Sequence, residues 1–297
     1  MRVLTFVLAV SLAGAGSALA AEQHLTIVGL SVTVWSPDRG TGAQPVIIFS
    51  HGLHGCATQS RFLMEAFASA GYLVFAPNHR DASCGKGRGG QRGSRGSRGA
   101  ASTGRVDAPL GRPASWTSST YRDRADDITH LIEALPGDDR FRARGDWRHL
   151  ALAGHSLGGY TVLGLGGAWP EWKLAGVKAI LALSPYAQPF DTRHTLGGIS
   201  VPVMYQGGTR DLGITPSLSK PNGAYDQNPT PKYFVEFAKA GHLAWTNLSS
   251  TAHGDIVAYS VAFMNHYVKG EKPDRLLTHA RADVARLRYI SELGLQR

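Results

Sequence analysis

The stretch Gly154-His155-Ser156-Leu157-Gly158-Gly159 constrains the fold more than any other part of the chain. An apolar run, residues 150–153, precedes it, and a run of helical character, residues 159–165, follows. The local order is strand, sharp turn, helix, with Ser156 at the apex. In that setting a G-x-S-x-G pattern presents a nucleophile. A serine on so tight a turn holds a strained backbone conformation. Strand and helix pass close on either side, so a side chain at Gly154 or Gly158 would meet the opposite limb. The turn lifts the Ser156 hydroxyl above the sheet and leaves the Leu157 N–H at a helix N-terminus, where developing negative charge is favoured. The plain alternative is a glycine-rich turn with a bystander serine. The flanking strand and helix weigh against it.

The rest of the chain supplies the sheet for that turn. Residues 25–35 alternate loosely and read as one or two early strands. Residues 45–50, PVIIFS, form a continuous β-branched run, as in a central strand buried on both faces. Residues 60–70 have helical spacing, stopped by Gly71, and residues 72–76 are the next buried strand. Residues 121–135 form an amphipathic helix ended by Pro136-Gly137. Residues 177–183, 201–205 and 233–237 read as later strands, and residues 256–268 as a helix. The charged tail, residues 274–293, reads as a closing amphipathic helix. With no internal repeat and no linker, residues 21–297 read as one α/β domain with a mostly parallel central sheet and helices on both faces.

The first 20 residues read as a signal peptide. Arg2 gives a positive start, residues 3–12 are apolar, and Ala18-Leu19-Ala20 is an A-x-A cleavage site. An uncleaved anchor is the alternative, but the apolar core is shorter than the ~20 residues that span a bilayer. The expectation is an exported protein, periplasmic or secreted, monomeric and without stable membrane insertion. Export changes the reading of Cys56 and Cys84, which would meet an oxidising compartment. Both follow strands and so reach the same end of the sheet, where a Cys56–Cys84 disulfide is expected over two buried free thiols. Two cysteines without a matching His/Cys cluster do not make a zinc site, and no metal is expected.

Residues 85–105 break the α/β pattern with glycine, serine and arginine and no apolar residue larger than alanine. Such a segment cannot bury enough to offset its ordering entropy, so it reads as a mobile loop. It carries much of a net charge of +9. Arg-Gly tracts can bind single-stranded nucleic acid, but export and the lack of a stacking platform argue against a nucleic-acid partner here. A solvated insertion is the simpler reading, with a cationic contribution to substrate or surface binding as the alternative.

A serine hydroxyl is a weak nucleophile and needs a base, which needs an orienting acid. In chain order the partners should follow as acid, then histidine, on loops after later strands. Asp211 follows the strand at 201–205, and His242 follows the strand at 233–237. Asp191 and Asp226 compete for the acid, and His194, His253 and His266 for the base, from less favourable positions. The oxyanion hole needs two N–H donors. Leu157 supplies one, and Leu53, in His51-Gly52-Leu53 after an early strand, supplies the other. An ordinary glycine turn is the alternative there. His51 and His155, each tied to a strand end, read as braces for their loops rather than as the base. Trp116 and Trp245 are candidate pocket walls, with burial in the core as the competing reading.

Phe49-Ser50-His51-Gly52-Leu53, Asn78-His79-Arg80-Asp81 and Gly154–Gly159 together resemble the α/β-hydrolase superfamily from about residue 24 to 270. They are similar to its platelet-activating-factor-acetylhydrolase-like and dienelactone-hydrolase-like branch, which includes cutinase-like polyester hydrolases. The resemblance implies carboxylester hydrolysis by a Ser-Asp-His triad, without a cofactor, on small-molecule or polymeric esters. Where dienelactone hydrolases proper carry cysteine, this chain has Ser156. Peptidase, thioesterase or acyltransferase chemistry on the same triad is the second reading, and a non-catalytic binding protein on the same scaffold is the third.

Overall fold

Two-residue alternation along the apolar runs divides the core in two, because successive strand side chains point to opposite faces. In β3 (Gln44–Ser50), Val46 and Ile48 join one apolar cluster while Ile47 and Phe49 join the other. In β5 (Gly145–His155), Leu150 and Leu152 take the first side and Ala151 and Ala153 the second. Helix α2 (Arg122–Ala134) covers the first face with Ile128 and Leu131, beside Tyr160 and Val162 of α3 (Leu157–Leu163). The opposite face is covered by Leu63 and Phe67 of α1 (Arg61–Ser69) and by Ile256, Tyr259 and Phe263 of α7 (His253–Lys269). Three short helices, α4 (Gln188–Arg193), α5 (Thr215–Ser219) and α6 (Ala224–Gln227), lie in later connections.

The computed structural model describes residues 21–37, 42–84 and 107–291. The expected signal peptide, residues 1–20, and the expected mobile loop, residues 85–105, lie outside the described residues. The remaining strands are β1 (Ala21–Ile27), β2 (Leu30–Ser36), β4 (Leu73–Pro77), β6 (Val177–Leu183), β7 (Val203–Gly208), β8 (Lys232–Phe237) and β9 (Val284–Ile290). They join β3 and β5 in one nine-stranded sheet of order β1-β2-β4-β3-β5-β6-β7-β8-β9. The strands from β4 to β8 in that order are mutually parallel, while β1, β2 and β9 pair antiparallel. The fold is thus a single α/β domain with a mostly parallel sheet. The carboxyl ends of β3, β5, β6, β7 and β8 meet along one edge, where open α/β sheets bind ligands.

Cys56 and Cys84 form a disulfide with a Cα–Cα distance of 5.4 Å, tying the segment after β3 to the one after β4. Closing a 28-residue separation removes unfolded-chain entropy worth on the order of 3–4 kcal/mol. Thiol titration of the denatured, unreduced protein is expected to find no free thiol. Two per chain would show that the bridge is absent.

The tail is not a helix. After a short turn at Arg275–Leu277 it forms β9, the antiparallel edge strand beside β8. The signal lies in a period of two rather than 3.6. Leu287 and Tyr289 pack against the core, while Arg286 pairs with Glu236 directly across the ladder at 3.3 Å and Arg288 with Asp226 at 2.7 Å. Two arginines among seven residues mask that alternation when the segment is read for an amphipathic helix.

Candidate active site

Ser156 joins the end of β5 to the start of α3 with φ 55° and ψ −116°. A non-glycine residue held there stores on the order of 1–3 kcal/mol of backbone strain. The neighbours explain why the turn persists. A Cβ on Gly158 would lie 1.9 Å from the Ser50 carbonyl oxygen, and one on Gly154 would lie 2.3 Å from the Gly158 carbonyl oxygen. Neither position accepts a side chain, so β3, β5 and α3 close to backbone contact around the serine. The Ser156 N–H donates to the Leu183 carbonyl at 3.0 Å, and its carbonyl accepts from the Tyr186 N–H at 3.0 Å.

The structure brings Ser156, His242 and Asp211 together. His242 Nε2 lies 2.9 Å from Ser156 Oγ. His242 Nδ1 lies 3.3 Å from Asp211 Oδ1 and 3.4 Å from Asp211 Oδ2. Asp211 is buried at the end of β7, while His242 keeps 36% of its side chain exposed at the mouth. Ser184, at the end of β6, stands between Asp211 and His242. Its hydroxyl donates to Asp211 Oδ2 and lies 2.8 Å from His242 Nδ1. Asp191, Asp226, His253 and His266 are engaged elsewhere. Asp191 takes Lys220 at 2.8 Å and Gln227 at 2.7 Å, and Asp226 takes Arg288. His253 stacks on Phe62 at 3.5 Å, His266 bonds the Glu271 carbonyl, and His194 follows α4 in a left-handed conformation.

Leu157 begins α3, where no preceding turn offers its N–H an acceptor. Leu53 sits between two committed amides: the Gly52 N–H donates to Gln59 Oε1 at 3.1 Å and the His54 N–H to Asp81 Oδ2 at 3.0 Å. A Cβ on Gly52 would come within 3.4 Å of Ser156 Cβ, so this loop runs beside the serine.

Both brace histidines are buried. His155 Nε2 donates to the His242 carbonyl at 2.9 Å, and its Nδ1 accepts from Gln59 Nε2 at 3.0 Å. With Gln59 Oε1 on the Gly52 N–H, one chain of bonds runs from the His242 loop to the 51–53 loop. His51 Nε2 accepts from the His79 N–H at 3.0 Å, so neutral His51 carries its proton on Nδ1 and donates it to the Gly52 carbonyl at 2.7 Å. Arg124, fully buried, donates to the His51 carbonyl at 2.8 Å and the Gly52 carbonyl at 3.2 Å, and grips Asp81 with Nε at 3.1 Å and Nη2 at 3.4 Å. Gln59, Arg124 and Ser184 were not singled out for the site by the sequence. Each meets its partner only across distant segments.

Burial pushes the Asp81 carboxyl up, but the Arg124 charge and hydrogen bonds outweigh it and hold Asp81 well below the usual carboxylate range. Burial, then the nearby His242, lowers His155 to about 3. Burial, then Arg124 and His79, holds His51 well below its ordinary value. In the unfolded chain histidine titrates near ~6.5. Between the unfolded and folded values the unfolded state therefore binds more protons, and stability falls as pH falls. The contribution is complete above about pH 6.5 and is lost on descent toward the folded values. His155 alone should cost roughly 2 kcal/mol between pH 6.5 and 5, with His51 adding in the same direction. Thermal melts are expected to show a clearly lower Tm at pH 5 than at pH 7. Equal values would mean that neither ring is buried neutral.

Trp116 and Trp245 are not pocket walls, since both are fully buried. Trp116 packs among Tyr121, Tyr160 and Tyr186, and Trp245 donates its indole N–H to Gln206 at 2.9 Å inside the core. Proximity of Trp245 to His242 in sequence is undone by the single 3₁₀ turn His242–Trp245, which carries the indole inward.

Residues 15–88 match the family model described as platelet-activating factor acetylhydrolase, isoform II. No curated protein matches the chain. The matched segment holds Ser50-His51-Gly52-Leu53 and His79-Arg80-Asp81 and ends before Ser156, Asp211 and His242. The likeness to this family thus covers about a quarter of the chain.

Proposed function

We propose that the protein is an exported serine hydrolase of carboxylic esters. The observation that carries this reading is the 2.9 Å contact between Ser156 Oγ and His242 Nε2, backed by buried Asp211. His242 takes the Ser156 proton as the oxygen attacks the ester carbonyl. The oxyanion forms between the Leu53 and Leu157 N–H groups. His242 then protonates the leaving alcohol, the acyl group stays on Ser156, and a water activated by His242 releases the acid. Asp211 stays ionised and stabilises the imidazolium. The chemistry needs no cofactor.

Leu212 and Leu243 follow the acid and the base directly and are 78% and 49% exposed. They give the mouth an apolar rim suited to esters with hydrocarbon groups. Export rests on the N-terminal sequence and on the disulfide. Among the described residues no helix is long and apolar enough to cross a membrane. A fluorophosphonate probe should label the protein once, on Ser156. A panel of p-nitrophenyl esters of increasing acyl length, with a thioester and a peptide anilide beside it, should give turnover mainly on the oxygen esters. Absence of both labelling and ester turnover would overturn the reading.

A further inference from the structure

The imidazole N–H of His242 has a closer partner than the carboxylate. Ser184 Oγ lies 2.8 Å from His242 Nδ1, against 3.3 Å and 3.4 Å for the Asp211 oxygens. The same hydroxyl meets Asp211 Oδ2. Ser184 is fully buried, and its backbone is held at φ 42° by the strand end, with its N–H on the Gln206 carbonyl at 2.8 Å. It is therefore fixed between acid and base.

Proton counting sets the direction of each bond. An ionised carboxylate only accepts, and a hydroxyl carries one proton. That proton goes to Asp211, so Ser184 Oγ can face Nδ1 only with a lone pair. Nδ1 must then carry the imidazole proton. Nε2 is left bare, facing Ser156 Oγ at 2.9 Å, which is the tautomer a general base needs. When Nε2 takes the Ser156 proton, no proton needs to leave Nδ1. The Asp211 charge polarises the Ser184 O–H bond and makes its oxygen a stronger acceptor for the imidazolium.

We propose that Ser184 is a positioning residue of this site, relaying the charge of Asp211 to His242 and locking the imidazole tautomer. The proposal rests on the esterase reading above. Its competitor is a strand-end serine kept only for its small size. Ser184→Gly separates the two, because glycine accepts the positive φ without strain and removes only the hydroxyl. Ser184→Ala removes the hydroxyl while keeping the Cβ.

Both variants should lose about 10- to 100-fold in kcat, the order expected of one hydrogen bond to a charged group. KM should stay within about twofold. In ¹⁵N-histidine NMR, wild-type His242 should appear as the Nδ1–H tautomer, and the variants as a mixture. The NMR reading on the wild type needs neither substrate nor a folded variant. Wild-type kcat in Ser184→Gly, or an Nε2–H tautomer for wild-type His242, would overturn the proposal with the esterase reading intact. A wild-type protein without ester turnover or probe labelling would overturn both.

Discussion

Ser156→Ala is expected to reduce kcat for a p-nitrophenyl ester by roughly 10⁴-fold or more, in line with deletion of a nucleophile from a triad. The strained turn does not depend on the hydroxyl. Its form is set by Gly154 and Gly158 meeting backbone, and by the Ser156 N–H and carbonyl bonds to Leu183 and Tyr186. Alanine keeps all of these, so Tm should hardly change while fluorophosphonate labelling disappears. A Ser156→Ala protein that retained more than a tenth of wild-type activity would place the nucleophile elsewhere.

Asp211→Asn should lower kcat by about 10³- to 10⁴-fold, with a far smaller effect on stability. The amide is nearly isosteric, so packing around this buried position survives. The damage is in the proton pattern. An asparagine NH₂ facing Ser184 would donate to its oxygen, and the hydroxyl would turn its own proton toward His242 Nδ1. The imidazole proton would then sit on Nε2, facing Ser156, where a base must be empty. Asp191→Asn is the control, because that carboxylate serves Lys220 and Gln227. If the control is the more damaging change, the acid has been misassigned.

The meeting of Ser156, His242 and Asp211 could be expected from the sequence because each lies just past an apolar strand, and parallel strands bring their carboxyl ends to one edge. A linear pattern therefore implies a spatial one. The parts that support them have no such pattern. Arg124 reaches the His51 carbonyl across 73 residues, Gln59 reaches His155 across 96, and Ser184 reaches His242 across 58. An arginine inside the amphipathic repeat of α2 looks like a solvated charge. Only the fold turns it inward onto Asp81. The tail failed for a different reason: the alternation in β9 is carried by long side chains whose charged ends dominate the composition.

The ladder between β8 and β9 also bears on how the molecule avoids its own copies. β8 carries the backbone that leads into the His242 loop, and without β9 its row of amides and carbonyls would be open to another chain's strand. β9 covers that row and becomes the new border. Guanidinium groups at Arg286 and Arg288 stand along it, anchored by Glu236 and Asp226. A second copy approaching edge to edge would have to bring like charges together and strip water from them. Among the described residues β9 thus forms one border of the sheet and also guards it against polymerisation.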